Sequence, residues 1–379
     1  MHFSYFMPTK IIFGWGKFEQ ASSHIVKFGQ KILLVTGKYA MKKQGFTDRL
    51  IADLQKQGAE TALFAGMSAN PLTKEVNACV DQFADWQPDV VVALGGGSVI
   101  DGAKGIILGL STREKVEPYL LGQKPITHVD VPLIAIPTTA GTGSETNWAA
   151  ILTDESCGVK TSFRHEGLFP QIAIVDPQLT VSLTSAITLE TGFDVFAHAV
   201  ETYISKSGLS PQIEMNSLAA IQLVGEYLPQ ALLDGNNQIA RTKMMYGSML
   251  MGFNLANSST CLPHRLQYPI GVKTNTSHGS GLMVLFESWL EQTYEFSQEK
   301  FDRIASALDG KPSSCKEEFM SAYRNFIRSL GVNLCLTDFS LTKQDIGYLA
   351  ERVTGSLAND PAGQVPGIVE KIYNGAFTK

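Results

Sequence analysis

Asp194 and His198 stand at i and i+4 in a stretch, 192–201, that reads as helix, so their side chains fall on one face, a turn apart. Two further histidines, His264 and His278, follow, the second with Gly279 directly after it. One carboxylate with three imidazoles suits a first-row divalent ion such as Fe²⁺ or Zn²⁺. Taken singly, each histidine reads more readily as structural than as a ligand. Only the set of four points to a metal, and it does so only if two distant segments meet. Glu201, a turn beyond His198, is either a support for a ligand or a surface acid.

A second chemistry is written in glycine. Gly95-Gly96-Gly97-Ser98 follows an apolar run and opens a helix that carries Asp101 and Lys104. Backbone N–H groups at a helix N-terminus are partly positive, and glycine lets a phosphate approach them closely. Ser98 either caps this helix or donates to a phosphate oxygen. The spacing is neither G-x-G-x-x-G nor a Walker loop. A loop of small hydroxyl residues, Thr138, Thr139, Ala140, Gly141, Thr142, Gly143 and Ser144, follows another apolar run. Two such loops at strand ends favour a dinucleotide.

The elements that must position these residues change character along the chain. Lys31–Thr36, Asp89–Leu94, Pro132–Ile136 and Ile172–Val175 are continuous apolar runs, the pattern of strands buried on both faces of a parallel sheet. Helical spacing lies between them at Thr47–Gln57 and Leu72–Asp85. Beyond about Leu183 the strand signals stop, and helical segments succeed one another around 189–204, 215–233, 240–255, 282–290, 300–308, 315–330 and 343–353. The expected architecture is a Rossmann-like doubly wound α/β domain over 1–182 and an all-α domain over 183–379.

Composition bounds the function. With 379 residues the chain is long enough for two domains, and a net charge of −5 leaves no basic footprint for nucleic acid. No apolar run approaches the ~20 residues of a membrane span. The N-terminal residues lack a signal-peptide pattern. Cys79, Cys157, Cys261, Cys315 and Cys335 form no C-x-x-C pair, which fits a reducing compartment and a cytoplasmic enzyme.

Together these motifs resemble the iron-containing (group III) alcohol dehydrogenase family, over most of the chain. Residues 93–104 look like its G-G-G-S-x-x-D-x-A-K phosphate motif, and 136–145 are close to its second signature. The resemblance implies a dehydroquinate synthase-like fold and Asp194, His198, His264 and His278 as metal ligands, with Fe²⁺ favoured and Zn²⁺ possible. It implies a nicotinamide site formed by Gly37, Lys38, Asn70, Gly95, Gly96, Gly97, Ser98, Asp101, Thr138, Thr139, Thr142, Lys160 and Leu179. It further implies hydride transfer between the nicotinamide and a small alcohol or aldehyde, and a homodimer. Relatives on the same fold, dehydroquinate synthase-like or glycerol-phosphate dehydrogenase-like, and a non-catalytic cofactor-binding protein are the alternative readings.

The chain also departs from the family pattern. Where many members carry a second histidine after the third ligand, this chain has Tyr268, which either passes a proton or packs. Tyr268 and His278 are the catalytic candidates. NAD-preferring members carry an aspartate where this chain has Gly37, followed by Lys38, Lys42 and Lys43, so NADP(H) is expected over NAD(H). Phe253, Leu262 and Trp148 either line the pocket or pack in the core. Arg265, beside a ligand candidate, is either an anion-binding group or half of a surface salt bridge.

Overall fold

The computed structural model describes residues 2–377 and divides into two compact units. One holds Met7–Thr139 with Gly143–Val181; the other holds the chain from Ser182 on, with Ala140–Thr142 and the stretch up to Phe6.

The first unit is a parallel sheet of β1 (Lys10–Phe13), β2 (Lys31–Gly37), β3 (Glu60–Met67), β4 (Val90–Gly95), β5 (Leu133–Pro137) and β8 (Ile172–Val175), in the order β1-β8-β5-β4-β2-β3. An antiparallel hairpin, β6 (Ala149–Asp154) with β7 (Val159–Arg164), lies outside it. The continuous apolar runs serve two cores. Leu33, Val35, Val91, Ala93, Leu133 and Ala135 pack on one side, against α2 (Thr73–Phe83) and α3 (Gly97–Thr112). Their neighbours Ile32, Leu34, Val90, Val92, Leu94, Ile134 and Ile136 pack with Leu50 and Leu54 of α1 (Phe46–Lys56). Successive residues of a strand point to opposite faces, so a strand covered on both faces has no polar side to alternate with. The two edge strands, β1 and β3, and the hairpin escaped the sequence reading. Edge strands are half-exposed, and β3 opens with Glu60 and Thr61 and carries Gly66 near its end.

The second unit is helical: α4 (Ser185–Ile204), α5 (Pro211–Leu233), α6 (Gln238–Asn257), α7 (Leu262–Thr274), α8 (His278–Thr293), α9 (Gln298–Asp309), α10 (Lys316–Ser329), α11 (Ile346–Glu351) and α12 (Ile368–Gly375). Helix α4 is buried all round from Gly192 to Ile204. Its Phe193 and Phe196 join Phe286 of α8 and Tyr323 and Phe326 of α10 in an aromatic cluster. The stripe of Asp194, His198 and Glu201 is thereby left to a different side of the same helix. Helix α7 was not foreseen, because Pro263 and Pro269 both argue against it. Pro263 sits in the first turn, where its missing N–H has no helical partner to lose; Pro269 removes only the bond to the Arg265 carbonyl.

Candidate metal centre and cofactor loops

Three helices bring the four ligand candidates together. Asp194 and His198 come from α4, His264 from the first turn of α7, and His278 is the first residue of α8. Asp194 Oδ1 is the common point: it lies 3.5 Å from His198 Nδ1, 3.4 Å from His264 Nε2 and 3.6 Å from His278 Nε2. The His198 and His264 rings stack with centroids 4.3 Å apart, and those of His264 and His278 are 5.1 Å apart.

Asp194 Oδ1, His198 Nδ1 and His264 Nε2 are all buried and make no hydrogen bond. Buried polar atoms are nearly always paired, so three orphans facing one another within 4.8 Å mark a place for a shared cation. The residues fit an ion such as Fe²⁺ or Zn²⁺: one anionic oxygen and three imidazole nitrogens. His278 is the most open of the four, with 26% of its side chain exposed, so access comes from its side.

The surroundings fix how the ligands present themselves. Glu201, fully buried, accepts from the Cys261 N–H at 2.7 Å and pairs through Oε1 with His264 Nδ1 at 2.5 Å. The surface-acid reading of Glu201 is therefore wrong; it holds the back of a ligand and aims Nε2 at Asp194. Gln267, a turn after His264, does the same for His278, with its Oε1 at 2.6 Å from Nδ1. Sequence reasoning missed Gln267, although its i+3 spacing from His264 was the available signal.

Electrostatics agree with the geometry. Burial raises the Asp194 carboxyl, but the three imidazoles outweigh burial and hold it well below the usual carboxylate range. Burial pushes His198 down to about 4, so it is a neutral donor. Burial also opposes charge on His264, yet Glu201 and Asp194 overcome it and raise the ring to about 9. The pocket thus favours positive charge between two acids.

Helix α8 is seated by its first turn. Ser277 and Ser280 hydroxyls both donate to Glu190 Oε1 on α4, at 2.7 and 2.8 Å. Gly279 lies so close to α4 that a Cβ would stand 2.5 Å from the Glu190 carbonyl oxygen. Tyr268 is buried, with its ring centroid 6.4 Å from that of His278. Leu262 is core, whereas Phe253 is half-buried and Trp148 stacks on Phe169 at 5.8 Å. Arg265 is buried rather than on the surface, and no carboxylate among the described residues pairs with it, which removes the surface salt-bridge reading.

In the α/β unit, the Gly95–Ser98 turn joins β4 to α3 as expected, with Gly96 as the N-cap. Ser98 therefore does not cap the helix; its hydroxyl donates to the Ala69 carbonyl, next to Asn70. A Cβ on Gly96 would stand 2.9 Å from Thr139 Oγ1, so the two small-residue loops touch here, and the Thr138 N–H bonds the Gly95 carbonyl at 3.0 Å. Lys160 reaches Asn70 Oδ1 at 3.0 Å, joining two more of the expected cofactor residues.

Other residues of that set are engaged internally. Asp101 is buried and holds the Ser144 hydroxyl and the Ile151 N–H, while Lys104 beside it donates to Ser144, Asn147 and the Ala149 carbonyl. Leu179 packs in the sheet core. Gly37 ends β2, and Lys38 pairs with Glu75 at 3.3 Å. Thr142 belongs to the helical unit.

Residues 8–177 match the family model described as iron-containing alcohol dehydrogenase, and 188–376 match the C-terminal region of the Fe-containing alcohol dehydrogenase family. The NAD-dependent methanol dehydrogenase of Bacillus methanolicus is 28% identical over 92% of this chain and 92% of its own. The choline dehydrogenase of Bacillus subtilis is 31% identical over 98% of this chain and 94% of its own. Among solved structures, an archaeal halo-thermophilic Red Sea brine pool alcohol dehydrogenase superposes with a TM-score of 0.94 at 31% identity, covering 99% of each chain.

Proposed function

This chain belongs to the iron-containing alcohol dehydrogenase family, and on that premise we propose that it is a metal-dependent, nicotinamide-linked oxidoreductase interconverting a small alcohol and its aldehyde. The observation that carries this reading is the convergence of Asp194, His198, His264 and His278, with three buried ligand atoms left unpaired. When bound, the metal supplies Lewis acidity to the substrate oxygen and the nicotinamide exchanges the hydride.

The chain's own residues do the rest. Asp194 balances the cation's charge, and Glu201 and Gln267 fix the tautomers of His264 and His278. The apolar shell around α4 keeps water from the ligands' backs. Tyr268, buried beside His278, is the group that would relay the alcohol's proton, accepting it at Oη as it gives up its own phenolic proton to the next acceptor. The Gly95–Ser98 turn offers N–H groups to a pyrophosphate, and the Asn70–Lys160 pair lines the same site.

NADP(H) is the preferred coenzyme in this reading. Gly37 carries no carboxylate to repel a 2′-phosphate, and Lys42 and Lys43, exposed just beyond it, supply positive charge. A kcat/KM at least about tenfold higher with NADPH than with NADH is expected, a discrimination of roughly 1.4 kcal/mol; a clear NADH preference removes this part. Free, unpaired cysteines support a cytoplasmic setting. The exposed apolar Met215, Leu233 and Ile239 support a homodimer.

The test is a panel of alcohols and aldehydes with both coenzymes, run with Fe²⁺, Zn²⁺ or chelator. His264→Ala is expected to lower bound metal and turnover together, and full activity in metal-free protein would sink the proposal.

A further inference from the structure

Arg265 is the unexplained charge in the helical unit. It follows the ligand candidate His264 in α7 and is only 8% exposed. Its Nη2 donates to Ser259 Oγ at 3.1 Å, while its Nε is buried without a partner. An arginine cannot shed its proton to escape this situation, and a buried charge without a counter-ion is costly to fold around.

The nearby acids do not supply the counter-ion. Glu201 and Asp360 share with Arg265 the electrostatic surroundings of Cys261. Glu201 is bonded to His264 and the Cys261 N–H. Asp360 accepts from the Leu262 and Ala362 N–H groups and from the Trp289 indole.

The backbone is shaped around this guanidinium. Gly355, at φ +84°, passes so close that a Cβ there would stand 3.0 Å from Nε and 3.2 Å from Cζ. On α7, Arg265 and Tyr268 are at i and i+3, on neighbouring positions of one face, and Tyr268 lies against His278. Arg265 thus stands on the same turn of α7 as the ligand candidate His264, with its guanidinium enclosed between Ser259 and Gly355.

We propose that Arg265 is a specificity-determining residue that recruits a substrate bearing an anionic group, a carboxylate or sulfonate, a few bonds from the reacting carbon. The fork of N–H donors matches such an oxyanion, and the same charge disfavours a quaternary ammonium alcohol. This deepens the oxidoreductase reading above and rests on it.

The test uses the metal-loaded full chain and compares kcat/KM for succinate semialdehyde, uncharged butanal of matched length, and betaine aldehyde. The intact protein favours the anionic aldehyde over butanal by at least about tenfold, the order expected for a charge-assisted hydrogen bond, with betaine aldehyde poorest. In Arg265→Gln the anionic-to-neutral ratio falls by about tenfold or more, through KM rather than kcat, and Arg265→Lys restores part of it. Metal content and thermal midpoint are followed in parallel. Should Arg265→Gln fail to fold, the ratio in the intact protein and competitive inhibition by succinate but not by succinamide decide the matter. Equal kcat/KM for the two aldehydes, or a proportional loss of both in the variant, overturns the assignment while leaving the oxidoreductase reading in place. Reduction of neither aldehyde, nor of any other in the wider panel, with either coenzyme overturns both.

Discussion

At the scale of single residues, the chemistry of the candidate centre rests on the backs of the ligands as much as on their faces. Holding one histidine nitrogen orients the other and fixes its tautomer, and Glu201 and Gln267 hold His264 and His278 in this way at 2.5 and 2.6 Å. Gln267 is fully buried and uncharged, so replacing it tests positioning without moving the net charge. Gln267→Leu is expected to weaken metal affinity by about 10- to 100-fold, measured by competition with a chelator, because His278 loses the partner that fixes its tautomer. Unchanged affinity would mean that His278 is oriented by other contacts. The four ligand candidates could be read from spacing and residue type. Of the supports, Glu201 could be read as one of two possibilities, whereas Gln267 could not, since an i+3 glutamine becomes a signal only once His264 is taken as a ligand.

At the scale of elements, the placement of α8 decides whether the fourth ligand candidate, His278, reaches the others. Its serines grip Glu190 on α4, and Gly279 lets the two helices approach to backbone contact. A methyl group at Gly279 would meet the Glu190 carbonyl and Cα, neither of which can rotate away. Gly279→Ala is expected to destabilise the protein by about 1–3 kcal/mol and to loosen metal binding, as read by chemical denaturation and metal titration. A fully stable variant with normal affinity would contradict the close packing. The buried strands and most of the long helices could be read from the sequence, because burial on both faces and helical periodicity each leave a direct pattern. Helix α7 could not, because Pro269 reads as a breaker inside it and Pro263 reads as a first-turn residue only once the helix start is known.

At the scale of the whole molecule, a cation in the candidate centre would tie together α4, α7 and α8, segments that local interactions cannot join. Anything that binds the native state alone stabilises it, by about 4 kcal/mol when free ligand exceeds its Kd a thousandfold. Chelation is therefore expected to lower the thermal midpoint by several degrees, reversibly on adding back Fe²⁺ or Zn²⁺; an unchanged midpoint at full metal removal would argue against a cross-linking cation. What the sequence determined alone were the two kinds of architecture, the glycine turn after β4, and four residues of ligand type at intelligible spacing. These follow from short-range rules: alternation, helical period and the freedom of glycine. Tertiary structure alone decided that Asp194 Oδ1 faces three imidazoles within 3.6 Å, that Glu201 is buried behind one of them, and that Arg265 is enclosed without a carboxylate. Burial and convergence depend on residues far apart in the chain, so no local pattern can record them.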